Sequence, residues 1–591
     1  MMAPASRRRL AAVLGAALIA ALPLIVSEYL VTLLNYIGLA TLVALGLVLL
    51  TGVAGQISFG QAAFVGIGAY TTAVLTTQYA ISPWLTLPIA LVVAAVLAWF
   101  LGQITLRMSG HYLPLGTIAW GISLYYLLGN LPELGGFGGI GDIPTLWIFG
   151  VELRDLTRYY YLIWLLVVVA LWAGANLLES RQGRAIRALK ARAAMVESFG
   201  VDPAALRIRV FVLAALLAAL SGWLYAHMQR FINPTPFSIT AGIEYLFMAV
   251  IGGSGGVLGA LIGAFTFTAL KEALQTLLQV LAGESGPYEL IVFGALIVLM
   301  LHHARDGIYP FLRRLVPARP AAHDPAAPRL PVPERAPDSE PALLSVRGAT
   351  RHFGGLVAVD SVDFDIGRGE ILGLIGPNGA GKSTLFSLIS GMLPLSAGEV
   401  RFSGVRVSGL TPDAIARLGM ARSFQHVKLI GQMSVLDNVA IGASLRAGRG
   451  VAATCLGLDG AEERSLRAEA ARQLERAGLA GSAHEPAGSL ALGQQRVVEI
   501  ARALCAEPVL LLLDEPAAGL RFQEKQVLAG LLRELRDQGM SILLVEHDMD
   551  FVMSLTDRLV VLHFGKKLAE GTPAEIQRNP DVLEAYLGGI E

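Results

Sequence analysis

Two hydropathy patterns divide the chain. Its first half is a series of long apolar runs with short polar joints, and its second half alternates short β-branched runs with amphipathic stretches. A span needs about 20 apolar residues to cross the hydrocarbon core. Candidates near that length are Leu30–Leu50, Ile57–Tyr79, Trp84–Leu106, Tyr112–Asn130, Tyr159–Leu178, Val210–Met228, Val257–Leu278 and Tyr288–His303, while Ile243–Gly253 is short for a crossing. Ahead of them, "SRRRLAAVLGAALIAALPLIV" places a basic cluster before an apolar run, an order shared by signal peptides and first membrane helices. The run exceeds a signal core of about 7–15 residues and a second apolar stretch follows almost at once, so it is read as a helix. The pattern predicts about eight to ten spans in all.

Charge orients these runs. Arg7, Arg8 and Arg9 lie at one end, Arg181, Arg184, Arg187, Lys190, Arg192, Arg207 and Arg209 crowd one loop, and Arg313 and Arg314 follow the last run. By the positive-inside rule all three clusters belong in the cytoplasm. An even number of crossings must then follow the basic loop, so "IGGSGG" (Ile251–Gly256) either turns between two helices or interrupts a re-entrant pair. The glycine-rich "TGVAGQISFGQAAF" implies a break covered by protein or by a water-filled path, or else close helix packing through glycine.

From Pro317 to Pro341 the text is rich in proline and alanine without apolar period, which predicts a semi-extended linker. The organisation expected is therefore a polytopic α-helical membrane domain over 1–316, a linker over 317–341 and an α/β P-loop ATPase domain over 342–591. Composition agrees: 54% of the 591 residues are hydrophobic and 16% charged, against roughly 25% charged in soluble domains. The net charge of zero hides roughly 18 Lys/Arg against about 13 Asp/Glu before Pro317, leaving the second half acidic and giving a nucleic-acid partner no support. Cys455 and Cys505, the two cysteines of the chain, exclude a disulfide framework and fit a reducing compartment.

Gly376, Pro377, Asn378, Gly379, Ala380, Gly381, Lys382 and Ser383 match G-x-x-x-x-G-K-[ST], with Thr384 beside them, between the strand-like "EILGLI" and a helical run. Glycines let backbone N–H groups curl around phosphate, and the following helix directs its N-terminus at the same charge. In such a loop Lys382 holds the β- and γ-phosphates of ATP and Ser383 coordinates Mg²⁺. Downstream, the apolar "PVLLLLDEP" ends in Asp514, placed to hold the metal, and Glu515, placed to activate water.

With these motifs in order, the second half resembles an ATP-binding-cassette ATPase. The resemblance implies that Gln425 of "RSFQ" senses metal and attacking water, that His547 of "LLVEHD" contacts the γ-phosphate, and that Phe353 stacks on adenine. It also implies that Leu490, Ala491, Leu492, Gly493 and Gln494, at the signature position, meet the ATP of a second cassette. The usual LSGGQ serine is absent there, and the D-loop "AAGL" is followed by Arg521 and Phe522 in place of the common Asp or Asn and Pro. "LALGQQ", "DEPAAGL" and "GTPAEIQRNPDVLEAYLG" are similar to the cassettes of branched-chain amino acid importers, and "GQISFGQAAFVGIGAYTTAVL" and "AGIEYLFMAVIGGSGGVLGALIGA" to their LivM-type permeases.

That likeness implies a fused permease and ATPase subunit in a bacterial inner membrane, multi-pass, with its cassette in the cytoplasm and membrane lipid around its spans. The expected partners are a second permease subunit, a second ATPase subunit or a second copy of the chain, and a periplasmic substrate-binding protein. In the basic loop, Ile186, Leu189, Ala193, Val196 and Phe199 form an apolar stripe on a helix expected over Arg184–Gly200. It fits either lipid headgroups or, as in the family, the groove of a cassette. Two other readings are an exporter, against which the near-bilayer length of the runs counts, and a membrane-anchored regulatory ATPase, for which so many apolar segments are excessive.

Overall fold

The computed structural model describes residues 19–106, 112–191, 193–253, 255–282, 307–313, 326–333 and 341–587, with isolated positions at 15, 17, 294, 295, 298, 299, 302, 303 and 324. Most of the first apolar run before residue 19 and most of the Tyr288–His303 candidate lie outside them. The chain divides into two compact units. One comprises Met1–Glu179, Ala204–Ala318 and Cys455–Gly457; the other comprises Ser180–Pro203, Arg319–Thr454 and Leu458–Glu591.

The first unit is helical: α1 (Glu28–Leu47), α2 (Gln61–Thr77), α3 (Pro83–Thr105), α4 (Tyr112–Asn130) and α5 (Leu156–Glu179) precede the basic loop. That loop forms α6 (Arg181–Ala191) and α7 (Ala193–Glu197), and α8 (Pro203–Gln229), α9 (Ile239–Gly252) and α10 (Leu258–Ala282) follow. By length and composition, four described helices can cross a membrane: α1 with its π-helical extension to Val53, α3, α5 and α8. On α3 the apolar side chains Val92, Val96, Trp99 and Phe100 are exposed, an exterior suited to lipid rather than water.

Two expectations about this unit change. The helix expected from Ile57 begins at Gln61, because Gly55 takes φ +72° and the chain has no regular structure from there to the turn at Gly60. In that break Gln56, Ser58 and Gln61 are buried, and both amides have no hydrogen-bond partner among the described residues. The short Ile243–Gly253 segment is a complete 14-residue helix, α9. It turns at Gly253 (φ +95°) into α10, so "IGGSGG" joins two helices.

Glycine sets the distance between these two helices. A Cβ on Gly252 would lie 1.7 Å from Gly259 O, and one on Gly263 would lie 1.8 Å from Met248 O. Only a bare backbone permits that approach.

The second unit carries two sheets. β1 (Leu344–Phe353), β2 (Leu356–Ile366), β4 (Ala397–Phe402) and β5 (Val405–Arg406) make an antiparallel sheet in the order β2-β1-β4-β5. β3 (Ile371–Ile375), β6 (Met420–Arg422), β7 (Leu510–Asp514), β8 (Ser541–Val545), β9 (Arg558–His563) and β10 (Lys566–Gly571) make a sheet ordered β10-β9-β3-β8-β7-β6, parallel except for the β9–β10 hairpin. The parallel strands are buried on both faces, which is why their sequences read as unbroken apolar runs. Leu372, Leu374, Leu512 and Leu543 enter one core with β1 and β2, while their neighbours Ile371, Leu511, Leu513 and Leu544 enter another beneath α14 (Phe522–Asp537).

Part of the expected linker is folded. Leu330 is buried among Val435, Leu436 and Leu466, the last on α12 (Gly460–Arg476), and Arg446 donates to the carbonyls of Leu330 (3.0 Å) and Pro331 (3.2 Å). A leucine at this point gives the proline-rich text one apolar anchor, and residues 326–333 lie on the cassette rather than forming a free tether.

Candidate functional site

Four adjacent parallel strands end at one edge of the sheet, each delivering part of the site. β3 leads into the phosphate loop, β8 into Glu546 and His547, β7 into Asp514 and Glu515, and β6 into Ser423 and Gln425. Register fixes the alignment, with Val545 opposite both Leu374 and Asp514 and Arg422 opposite Leu512. Ligands of open α/β sheets bind at such carboxyl ends.

The loop conformation depends on its glycines. Gly376 (φ +148°) and Gly381 (φ +97°) adopt backbone angles that L side chains avoid, and a Cβ there would meet Leu562 O at 2.2 Å and Ala358 O at 2.4 Å. Gly381 caps α11 (Lys382–Ile389), whose first turn faces the loop. Lys382 is buried and donates to Gly376 O (2.7 Å) and Pro377 O (2.8 Å), spanning its own loop. Burial pulls its pKa down, and the nearby Glu515 and Asp514 partly restore it. A lysine so placed gains from a phosphate.

Gln425, Glu515 and His547 come together on one oxygen. Glu515 Oε1 accepts from Gln425 Nε2 at 3.1 Å and lies 2.7 Å from His547 Nε2. Glu515 itself sits at φ +49°, uncommon for a residue with a Cβ, and its N–H donates to Val545 O at 2.8 Å. Strained backbone of this kind gathers at functional sites.

Asp514 is buried, and its pKa is raised by burial against the lowering pull of Arg422, whose guanidinium is 3.7 Å away. Its Oδ1 is buried without a hydrogen-bond partner among the described residues, an acceptor that suits a cation. Ser383 and Gln425 supply further oxygens; no group of three His, Cys, Asp or Glu gathers into a metal site of its own among the described residues.

Three contributors carried no sequence signal strong enough to single out. Buried Glu546 accepts from the N–H groups of Ala517 (2.6 Å) and His547 (2.9 Å), tying the D-loop to the histidine. Arg422 stacks on Phe386 and donates to Ser390. Ser423 accepts from the N–H of Asp514 at 3.1 Å. An arginine and an acid flanking known motifs were the available hint.

The aromatic Phe353 is half-exposed at the end of β1, with the Arg351 guanidinium 4.7 Å over its ring. The signature residues open α13 (Leu492–Leu504), where Gln494 reaches back to the N–H of Ala491 at 3.3 Å. Leu490 and Gly493 are buried, while Ala491, Leu492 and Gln494 are exposed. Among the described residues no hydrogen bond joins Leu490–Gln494 to the phosphate loop. Arg521 is exposed at the start of α14, its N–H held by Glu524 at 2.8 Å.

The basic loop folds within the cassette unit. It forms two short helices, α6 and α7, where one was expected from Arg184, and Gly200 (φ +72°) ends the turn. Ile186, Leu189, Val196 and Phe199 are buried, so the stripe meets protein rather than lipid headgroups. Arg184 is buried too, and its guanidinium is forked onto Glu463 at 2.8 and 3.2 Å with Asp437 at 3.7 Å. Burial alone would lower the pKa of Arg184, but Glu463 and Asp437 reverse the sign and raise it. Arg502 stacks on Phe199 at 5.0 Å, and Arg417 donates to Gly200 O at 3.1 Å.

Comparison with known proteins matches residues 29–301 to the permease component of branched-chain amino acid transport systems, 359–518 to the ABC transporter family, and 566–591 to the branched-chain amino acid ATP-binding cassette transporters. The high-affinity branched-chain amino acid transport ATP-binding protein LivG of Escherichia coli K12 is 43% identical over 249 residues, 42% of this chain and 98% of that protein. The chain belongs to the ABC transporter family. This ABC transporter subunit joins a permease segment to an ATPase that couples ATP hydrolysis to transport, with the ATPase on the cytoplasmic side of a membrane. BraF of Pseudomonas aeruginosa is 41% identical over the same shares, and a LivG of Archaeoglobus fulgidus 35% over 42% of this chain and 95% of its own. Among solved structures, a nucleotide-free ATP-binding cassette from an ABC transporter is 30% identical, covering 42% of this chain and 98% of its own with a TM-score of 0.38.

Proposed function

We propose that this subunit imports branched-chain or related amino acids across a bacterial inner membrane. The reading is carried by one observation: Ser180–Pro203, sequence from the middle of the permease, folds as part of the cassette unit through Arg184 and the Ile186–Phe199 stripe. A cassette that grips the loop between two membrane helices, α5 and α8, has a lever on them. In this reading ATP bound at Lys382 favours closure of two cassettes, its hydrolysis removes that preference, and the lever alternates the permease.

The residues divide the work. Gly376–Thr384 cradle the phosphates, Phe353 stacks on the base, and Ser383, Gln425 and the orphan oxygen of Asp514 hold Mg²⁺, which neutralises phosphate charge. Glu515 takes a proton from water, with Gln425 and His547 orienting its carboxylate. Leu490–Gln494 of this chain complete the site of a second cassette, from another ATPase subunit or a second copy of this chain, and the amino-acid reading adds a second permease and a periplasmic binding protein as partners. The relatives named as branched-chain amino acid transport proteins support the substrate class.

Proteoliposomes holding the chain, those partners and a loaded binding protein test the reading. ATP-dependent uptake of labelled leucine, isoleucine or valine supports it. ATP-driven movement away from the cassette side overturns the direction, and hydrolysis without solute flux overturns transport.

A further inference from the structure

A short hairpin ahead of α5 is apolar on its outer side as well as its inner one. The helix α5 is long and apolar enough to cross a membrane, and Ser180–Pro203 at its far end folds with the cytoplasmic cassette. The residues that lead into α5 at Leu156 therefore lie on the external side. There Trp147–Ile148 pairs with Val151–Glu152, and the N–H of Leu153 donates to Leu146 O at 2.8 Å. Side chains alternate along an extended strand. Leu146 is buried and Ile148 packs on the same helix core, whereas Trp147 is 55% exposed and Phe149 fully exposed, with Val151 48% exposed beyond the turn. A hairpin with one face in the core and the other in water alternates apolar with polar. This one places aromatic rings where polar residues belong.

The turn itself makes the same point. Phe149 (φ +48°) and Gly150 (φ +81°) hold its two central positions, where Asn-Gly is the favoured pair because both residues take positive φ. Bulky side chains avoid that conformation. The chain keeps a fully exposed phenyl ring where asparagine would hold the same turn more easily.

The level of the hairpin decides what meets that ring. Trp84, the second residue of the membrane-length helix α3, donates its indole N–H to Trp147 O at 2.8 Å, and its ring packs on buried Trp223 with centroids 5.5 Å apart. Tryptophan at the end of a span sits at the level of the lipid headgroups. From there Leu85, Ile89, Val92, Val96 and Phe100 are exposed at three- and four-residue intervals, a continuous apolar stripe down α3. Phe149 is two residues from Trp147, at most about 7 Å of chain, which keeps the tip within about one interfacial thickness of Trp84.

We infer that the tip of the Trp147–Glu152 hairpin is seated in the external leaflet, with Trp147 and Phe149 at the boundary between headgroups and acyl chains. Its partner is a phospholipid surface, and the inference holds whichever solute the subunit carries. Seated there, the hairpin gives the external ends of α3 and α5 a hold on the bilayer.

Lipid-borne quenchers test this on the full chain in nanodiscs. With Cys455 and Cys505 replaced by serine, Val151→Cys carries a bimane label and leaves Phe149 in place. Phosphatidylcholine bearing a nitroxide on its headgroup or high on an acyl chain is expected to cut the emission at least twofold, and aqueous iodide to have little effect. Val527→Cys, exposed on α14 of the cassette, is the control that iodide reaches and nitroxide lipids do not. Phe149→Asn, which suits the turn, is expected to keep the hairpin and to lower lipid quenching at position 151 at least twofold, while Phe149→Trp retains it. A label at 151 that behaves like the one at 527 overturns the inference, and so does lipid quenching indifferent to Phe149→Asn. Lipid quenching that disappears when the second permease or a loaded binding protein is added assigns the hairpin to that protein and overturns lipid as its partner.

Discussion

His547 Nε2 lies 2.7 Å from Glu515 Oε1, the same oxygen that Gln425 approaches from the end of β6, across β7 from His547, at 3.1 Å. One carboxylate oxygen thus has two orienting partners before any nucleotide arrives. Glu515→Gln is expected to keep ATP binding and lose hydrolysis by roughly 10²–10⁴-fold, the usual range for a general base. Lys382→Ala should weaken binding and turnover together, because its ammonium serves the bound phosphates. Phosphate release and nucleotide-binding titrations separate the two, and normal turnover in the Gln variant removes Glu515 from its role.

Acid should silence metal-dependent nucleotide binding early. The pKa of Asp514 is raised by burial above the ordinary 3.8, and a metal takes the ionised form. Binding that depends on Mg²⁺ is therefore lost as pH falls through this raised pKa. Arg422 pulls the same pKa down, so Arg422→Gln is expected to move the acid limb to higher pH. Calorimetric titration with Mg·ATP across pH checks the direction; an unmoved limb means another group sets it.

Removing Arg184 strips buried Glu463 of its forked guanidinium, while Asp437 keeps Arg467 at 3.6 Å. Breaking one side of a buried pair costs about 3–5 kcal/mol, so Arg184→Ala should lower the unfolding temperature of the cassette transition in detergent. Arg184→Met with Glu463→Leu, which removes the pair together, should recover most of it. Equal loss in both variants would show that packing volume rather than charge pairing holds α6.

Leu189→Glu puts a charge where the Ile186–Phe199 stripe is buried, at a cost of several kcal/mol unless the contact opens. Opening is expected to leave basal ATP hydrolysis and abolish uptake stimulated by a binding protein. Parallel measurements of phosphate release and labelled leucine in the same vesicles decide it, and unchanged uptake removes the segment from coupling.

Arg521 adds a cation at the start of α14, where the exposed side chain faces outward and Glu524 satisfies the backbone. One of the two composite ATP sites is expected to be slow in the assembled transporter. Single-site variants of the two cassettes should then differ in their effect on turnover; equal losses would show that both sites work.

The nucleotide site was legible in sequence because its chemistry is local. A glycine loop, an acid pair after an apolar strand and a histidine after another each announce themselves within a few residues, and parallel pairing brings their strand ends together. What stayed hidden depends on distant partners. Leu330 is one apolar residue in a proline-rich text until it meets Val435 and Leu466. Arg184 reads as a topology charge, and only the fold pairs it with Glu463. The start of α2 was misplaced because Ile57 and Phe59 are apolar in either conformation; Gly55, which bends the chain there, was the better signal. Lys271 and Glu244, 2.7 Å apart, lie in separate runs whose closeness depends on the glycines between them.

Arg446 fastens Leu330 and Pro331 to the cassette, so the covalent run from residue 313 to residue 326 reaches at most about 45 Å. A cassette on so short a leash is present at its docking segment at a local concentration on the order of millimolar. Free cassettes at cellular levels compete poorly against that supply, so the permease segment and the cassette of one chain stay paired, and their one-to-one ratio is set at translation while assembly supplies the second pair.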